Sequence, residues 1–131
     1  MEPTKERLQL NLALLEKATQ TLNVALEQPL TEFIRDAVIQ RFEYAFELSW
    51  KTIQVAAQYM GMTCQSPREP VKIAFKIGWI HNADRWLEAM EARNKTSHTY
   101  NEALAIEVYQ AAKQFPELLK ELSAYLNTLA V

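Results

Sequence analysis

Apolar residues recur along this chain at steps of three and four, with polar residues between them. From Thr4 to Gln28, Leu8, Leu12, Leu15, Leu22 and Leu26 mark one helical face, and Pro29 closes the segment. From Thr31 to Met60, Ile34, Val38, Phe42, Ala45 and Phe46 repeat the pattern, and Gly61 offers a C-terminal cap. Ser66-Pro67-Arg68-Glu69 starts a short helix that ends near Gly78: a Ser cap, proline at the first helical position, and Glu three residues after the cap. Another helix is expected from about Asn82 to Arg93, with Trp86, Ala89 and Met90 inward. The last runs from about Asn101 to Leu129 on a stripe of Leu104, Val108, Ala111, Leu118, Leu122 and Leu126. Pro116 is expected to kink it, since proline removes a backbone donor and crowds the preceding turn. No strand, repeat or low-complexity tract is discernible. The prediction is a single all-α domain over residues 1–131: an antiparallel up-and-down helical bundle of three long helices and two shorter ones.

Composition narrows the class. With 131 residues, 49% of them hydrophobic and 23% charged, the chain can bury a core and is neither disordered nor membrane-embedded. No apolar run exceeds four residues, so neither a membrane span nor a signal-peptide core is expected. The lone Cys64 has no internal partner; it reads as a small buried side chain in a reducing, cytoplasmic setting. A net charge of −2 argues against nonspecific coating of DNA but leaves room for a local phosphate site.

One stretch breaks the helical pattern. "RNKTSHTYN", Arg93 to Asn101, gathers hydroxyl, β-branched and amide residues that form helices poorly. Thr99-Tyr100-Asn101-Glu102 fits a capping box, which would open a new helix here. His98 is then expected at or just before a helix N-terminus, with Arg93 on the closing turn of the helix before. A helix N-terminus favours phosphate, arginine grips phosphate through paired hydrogen bonds, and histidine is the side-chain type suited to moving protons near neutrality. Such a set suits cleavage of an RNA phosphodiester by its own 2′-hydroxyl: Arg93 stabilises the phosphorane and His98 acts as base or acid. One histidine cannot readily do both, and a two-fold dimer would supply the second. An Arg-to-His spacing also arises by chance, and capping residues gather at any junction. The residues alone leave both accounts open.

"RNKTSHTY" nevertheless resembles the HEPN motif of an arginine, a polar residue, and a histidine five places on, in the form where tyrosine follows two residues later. "RFEYAFELSWKTIQ" (Arg41–Gln54), "SPREPVKIAFKIGWI" (Ser66–Ile80) and "RWLEAMEARNKTSHTYNE" (Arg85–Glu102) resemble the nucleotidyltransferase substrate-binding protein family within HEPN. The resemblance implies a helical bundle that dimerises and forms a complex with a minimal nucleotidyltransferase. It implies a toxin–antitoxin pair: a metal-independent ribonuclease, neutralised when its partner transfers AMP to the motif tyrosine. Carried over, Arg93 and His98 would be catalytic, Asn94 an assisting polar residue and Tyr100 the modified hydroxyl. The family's name implies another role, a non-catalytic adaptor that presents a nucleotide or other substrate to the transferase.

Other residues fit either reading. Glu43, Glu47 and Lys51 lie at four-residue steps, as a solvated salt-bridge ladder or as contacts to the motif or a partner. Lys72 and Lys76 step along an exposed face beside Arg68 and could track RNA or a nucleotide. Trp50, Trp79 and Trp86 read as core or interface anchors. His81 has no Cys or second His at ligand spacing, so no metal is assigned. With Gly only at 61 and 78 there is no phosphate-binding loop, and no cofactor is expected.

Overall fold

Thr4 is extended (φ −108°, ψ 166°) and its side chain accepts from the Arg7 N–H at 3.1 Å, starting α1 (Lys5–Leu26). Thr31 caps α2 (Glu32–Tyr59) in the same way, accepting from the Ile34 N–H at 3.1 Å. Each cap satisfies a donor that a helix start would otherwise leave bare. The chain continues through α3 (Arg68–Lys76), α4 (Ala83–Asn94), a 3-10 turn (Thr96–His98) and α5 (Glu102–Leu129). This computed structural model describes residues 4–62 and 68–131; Cys64, Ser66 and Pro67 lie outside the described residues. Among those described there is no strand, and the three long and two shorter helices are those the periodicity indicates.

Gly61 does cap α2, with φ +87°. Its N–H donates to the Gln58 carbonyl at 3.0 Å and the Met62 N–H to the Ala57 carbonyl at 2.7 Å, a Schellman ending. Gly78 (φ +86°) repeats the device after α3. A Cβ on Gly61 would meet nothing within 4 Å, so a side chain there is opposed by backbone conformation alone. Gly61→Ala should therefore cost about 1 kcal/mol. In urea the midpoint should fall with an unchanged slope; an unaltered midpoint would contradict this account of the cap.

Helix directions follow from contacts. α1 and α2 pack together and are joined only by residues 27–31, so the chain reverses there. The Gln9 side chain donates to the Ala130 carbonyl at 3.0 Å, setting the start of α1 beside the end of α5. Trp79 lies 6.5 Å from Tyr125 and Trp86 lies 5.4 Å from Phe115, while Lys95 reaches Glu107. α3 and α4 thus form one returning leg that climbs α5 in the opposite direction. The result is the up-and-down bundle.

Its centre is aromatic. Phe115 meets Phe42 edge to face (5.2 Å, 84°), Trp86 likewise (5.4 Å, 78°), and Phe46 at 5.8 Å. Leu8, Leu12, Leu15 and Leu22 extend this core down α1, and Leu118, Leu122 and Leu126 down α5. The α5 stripe is shifted by one position at its start: Ala105 and Ala112 are buried, whereas Leu104 and Ala111 are only partly so. α5 is continuous through Pro116, whose missing N–H leaves the Ala112 carbonyl without its usual helical donor.

Candidate functional site

The stretch from Arg93 to Asn101 is a chain of local turns. The Thr96 hydroxyl donates to the Arg93 carbonyl at 2.7 Å, closing α4. The His98 N–H donates to the Lys95 carbonyl at 3.0 Å within the 3-10 turn, and the Asn101 N–H to the His98 carbonyl at 3.1 Å. The expected capping box at Thr99 does not form. Thr99 has a turn-type backbone (φ −78°, ψ 2°), and its hydroxyl donates to the Thr96 carbonyl at 3.2 Å. Asn101 is extended (φ −80°, ψ 118°) and its Oδ1 accepts from the Leu104 N–H at 3.2 Å, so Asn101 is the cap. α5 begins after the Asn101 cap, and His98 lies just before that N-terminus, at the end of the preceding 3-10 turn.

Arg93 is on the closing turn of α4, as its position implied, but a distant residue holds it. Its Nε lies 2.6 Å and its Nη2 2.5 Å from Oε1 of Glu47 on α2. The other Glu47 oxygen accepts from Trp50 Nε1 at 3.1 Å. A buttress thus runs from Trp50 through Glu47 to Arg93, partly open to solvent (side chains 34% exposed for Arg93, 28% for Glu47). Charge-assisted contacts of this length fix a guanidinium that would otherwise sample many rotamers. Lys95 Nζ lies 2.7 Å from Glu107 Oε1, tying the junction to α5; that hydrogen bond holds the Lys95 pKa above the usual lysine value.

Asn94, Ser97 and His98 are exposed. Tyr100 is 86% exposed, and its ring meets that of His98 edge to face at 6.1 Å and 79°. The junction therefore offers solvent a buttressed arginine, an imidazole and a free phenol within one turn-rich segment. Such a set can bind a phosphate oxygen, move a proton and accept a group on the phenol.

The other sequence candidates divide. Glu43, Glu47 and Lys51 do not act as one ladder: Glu47 turns to Arg93, Lys51 Nζ lies 5.8 Å from the centre of the Trp50 ring, and Glu43 lines a cleft. Lys72 and Lys76 are exposed on α3, which packs on α2 and α4 but not on the 3-10 turn, so they stand apart from the junction. Trp79 and Trp86 are core, and Trp50 is half-buried against it. Among the described residues no group of three or more His, Cys, Asp or Glu side chains is arranged for a metal ion. No helix among them is long and apolar enough to cross a membrane.

The cleft has no signature in the sequence. It encloses about 870 Å³ between the starts of α2 and α5, with Thr96, Thr99 and Tyr100 on one side. Arg35 lies in it, its Nη1 3.6 Å from Glu102 Oε1 and its side chain only 16% exposed. Only tertiary packing brings residues so far apart in sequence together.

Relatives carry similar residues over most of the chain. Residues 10–128 match the family described as "Nucleotidyltransferase substrate binding protein like". The "Probable ribonuclease HepT" of Haemophilus influenzae is 30% identical over 96 residues, which cover 70% of this chain and 64% of that relative. A crystal structure from Thermus thermophilus superposes with a TM-score of 0.80 at 33% identity, covering 86% of this chain and 98% of that one. Another solved structure, from Haemophilus influenzae and described as revealing the fold of a substrate binding domain of a nucleotidyltransferase, has a TM-score of 0.67 at 24% identity. It covers 95% of this chain and 99% of that one, and shares the fold.

Proposed function

Because the chain belongs to the nucleotidyltransferase substrate binding protein like family, we propose that it is the cytoplasmic partner of a minimal nucleotidyltransferase. In this reading it is the ribonuclease toxin of the pair, silenced by AMP transfer to Tyr100. The observation that carries the reading is the junction itself: Arg93 braced by Glu47 at 2.6 Å, on a segment that exposes His98 and Tyr100 with ring centres 6.1 Å apart.

In the cleavage step the RNA 2′-oxygen attacks the adjacent phosphorus, giving up its proton to His98. The 5′-oxygen leaves with a proton, and a 2′,3′-cyclic phosphate remains. Arg93 meets the charge that grows on the non-bridging oxygens, through Nη1, the nitrogen not turned to Glu47. Asn94, exposed beside Arg93, assists in holding the phosphate. A two-fold pair of junctions supplies a second His98 as the acid, so the acting species is a homodimer. No step calls for a metal or another cofactor from the protein.

In the silencing step the Tyr100 oxygen attacks the α-phosphorus of ATP. A P–O bond to the phenol forms, the α–β bridging bond breaks, pyrophosphate leaves, and the phenolic proton passes to the transferase or to water. The added phosphodiester stands beside His98 and excludes RNA from it.

Two measurements test the reading. Purified protein incubated with varied RNAs in EDTA should yield 2′,3′-cyclic ends; intact protein with no cleavage of any RNA would remove the ribonuclease and leave the substrate-presenting adaptor. With the cognate transferase and Mg·ATP, the intact mass should rise by AMP increments in wild type and stay constant in Tyr100→Phe. A wild-type mass that never changes would end the silencing proposal.

A further inference from the structure

The cleft beside Tyr100 has a character that the ribonuclease chemistry does not use. Among the described residues Glu32, Asp36, Glu43 and Glu102 line it, with Arg35 as the one cation. Arg35 is loosely paired, 3.6 Å from Glu102 and 4.0 Å from Asp36, and its buried Nε has no hydrogen-bond partner among the described residues, but the carboxylates around it outnumber it. Apolar side chains edge the same opening. Leu30 and Ile106 line it, each at least half-exposed, and Tyr100 stands at its rim. Phe33 is 86% exposed and lies three and seven residues before Asp36 and Gln40, which line the cleft, so it shares their helical stripe. Aromatic side chains are enriched where proteins meet, and Phe33 offers one beside the cleft.

We propose that this acidic, apolar-rimmed cleft is the docking surface for a protein partner carrying a basic segment with an apolar contact. On the reading above, which this inference depends on, that partner is the nucleotidyltransferase. Charge selects the occupant. RNA, or a nucleotide free of its metal, would face four carboxylates against one arginine and be repelled. A second copy docked cleft to cleft would set eight carboxylates against two arginines, an arrangement that like-charge repulsion opposes, so the homodimer proposed above pairs its junctions on the His98 side and leaves the two clefts apart. A basic partner gains from the same field, in both encounter rate and register. The position also suits AMP transfer, because a transferase seated in the cleft has Tyr100 at the edge of its footprint, while Glu47 lies one turn beyond Glu43 along α2 and holds Arg93 of α4 there.

Asp36→Lys and Phe33→Ser test the surface, because both side chains are exposed and neither change should move the melting curve. The affinity of the purified cognate transferase, measured by calorimetry at low and moderate salt, should drop at least about tenfold in each variant. Wild-type binding should weaken with salt, and the rate of mass gain at Tyr100 should fall in parallel. Lys72→Glu on α3 should leave binding intact. Unaltered affinity in both cleft variants would overturn the docking surface while leaving the transferase reading standing. Variants that turn a dimer into monomers with transferase affinity unchanged would assign the face to a second copy instead. Variants that lose RNA affinity alone would assign it to the nucleic acid. If the wild-type chain binds no transferase at all, the functional reading falls, and the docking surface with it.

Discussion

Arg93→Ala should lower the rate of RNA cleavage by about 10²–10³-fold, the usual consequence of removing one preorganised donor from a developing oxyanion. His98→Ala should cost about 10²–10⁴-fold, as expected for a general acid or base. The informative partner is Glu47, whose Oε1 takes both Arg93 Nε and Nη2. Glu47 acts through Arg93 and touches no reacting atom. Two physical effects compete there. The carboxylate fixes the guanidinium geometry, which favours the transition state, but it also offsets part of the positive charge that a phosphorane needs. Fixing should win, because a partly exposed ion pair is screened by water, while a loose arginine must be reordered in every turnover. Glu47→Ala should therefore reduce kcat with a smaller change in KM, and Glu47→Gln, which retains an acceptor, should recover part of the loss. In the Arg93→Ala background, Glu47→Ala should have little further effect, since the two act as a unit. A faster enzyme after Glu47→Gln would mean that the carboxylate restrains Arg93 instead of positioning it.

Trp86→Ala should remove about 3–5 kcal/mol of stability. Trp86 is fully enclosed and stacks edge to face on Phe115, which in turn carries Phe42 and Phe46. Truncation loses the buried area and the edge-to-face contact together, and three neighbouring helices cannot collapse far enough to fill the space. For a chain of this length the melting temperature should fall by roughly 10–20 °C. Ile106→Ala, at a half-exposed position on α5, should leave it nearly unchanged. A scan showing equal effects at both positions would mean that the aromatic cluster is not the centre of the core. Because Trp86 also anchors the helix whose last turn carries Arg93, the surviving folded fraction should cleave RNA less well than its abundance accounts for.

Several features were legible in the residues without any coordinates. Helices place their hydrogen bonds within four residues, so Leu8, Leu12, Leu15 and Leu22, or Val38, Phe42 and Phe46, report burial from spacing alone. Gly61 announces its cap because few other residues accept φ +87°. The junction was legible as a break in periodicity, and its motif as a family resemblance. The capping-box pattern points two residues early, because Thr99 and Asn101 are both competent caps and only the backbone, turn-like at the first and extended at the second, decides between them.

The order and number of helices, their inward faces and the polar segment holding Arg93, His98 and Tyr100 were thus set by local sequence. Tertiary structure decided the rest. Glu47 meets Arg93 across 46 positions. Phe115, beside a helix-interior proline, became the hub of the aromatic core. Arg35 and Glu102 came together in a cleft that no single segment contains. Periodicity states which face of a helix turns inward. Which residue on another helix it then meets depends on how the helices pack and in which register, and those come from fitting side chains of the whole bundle at once.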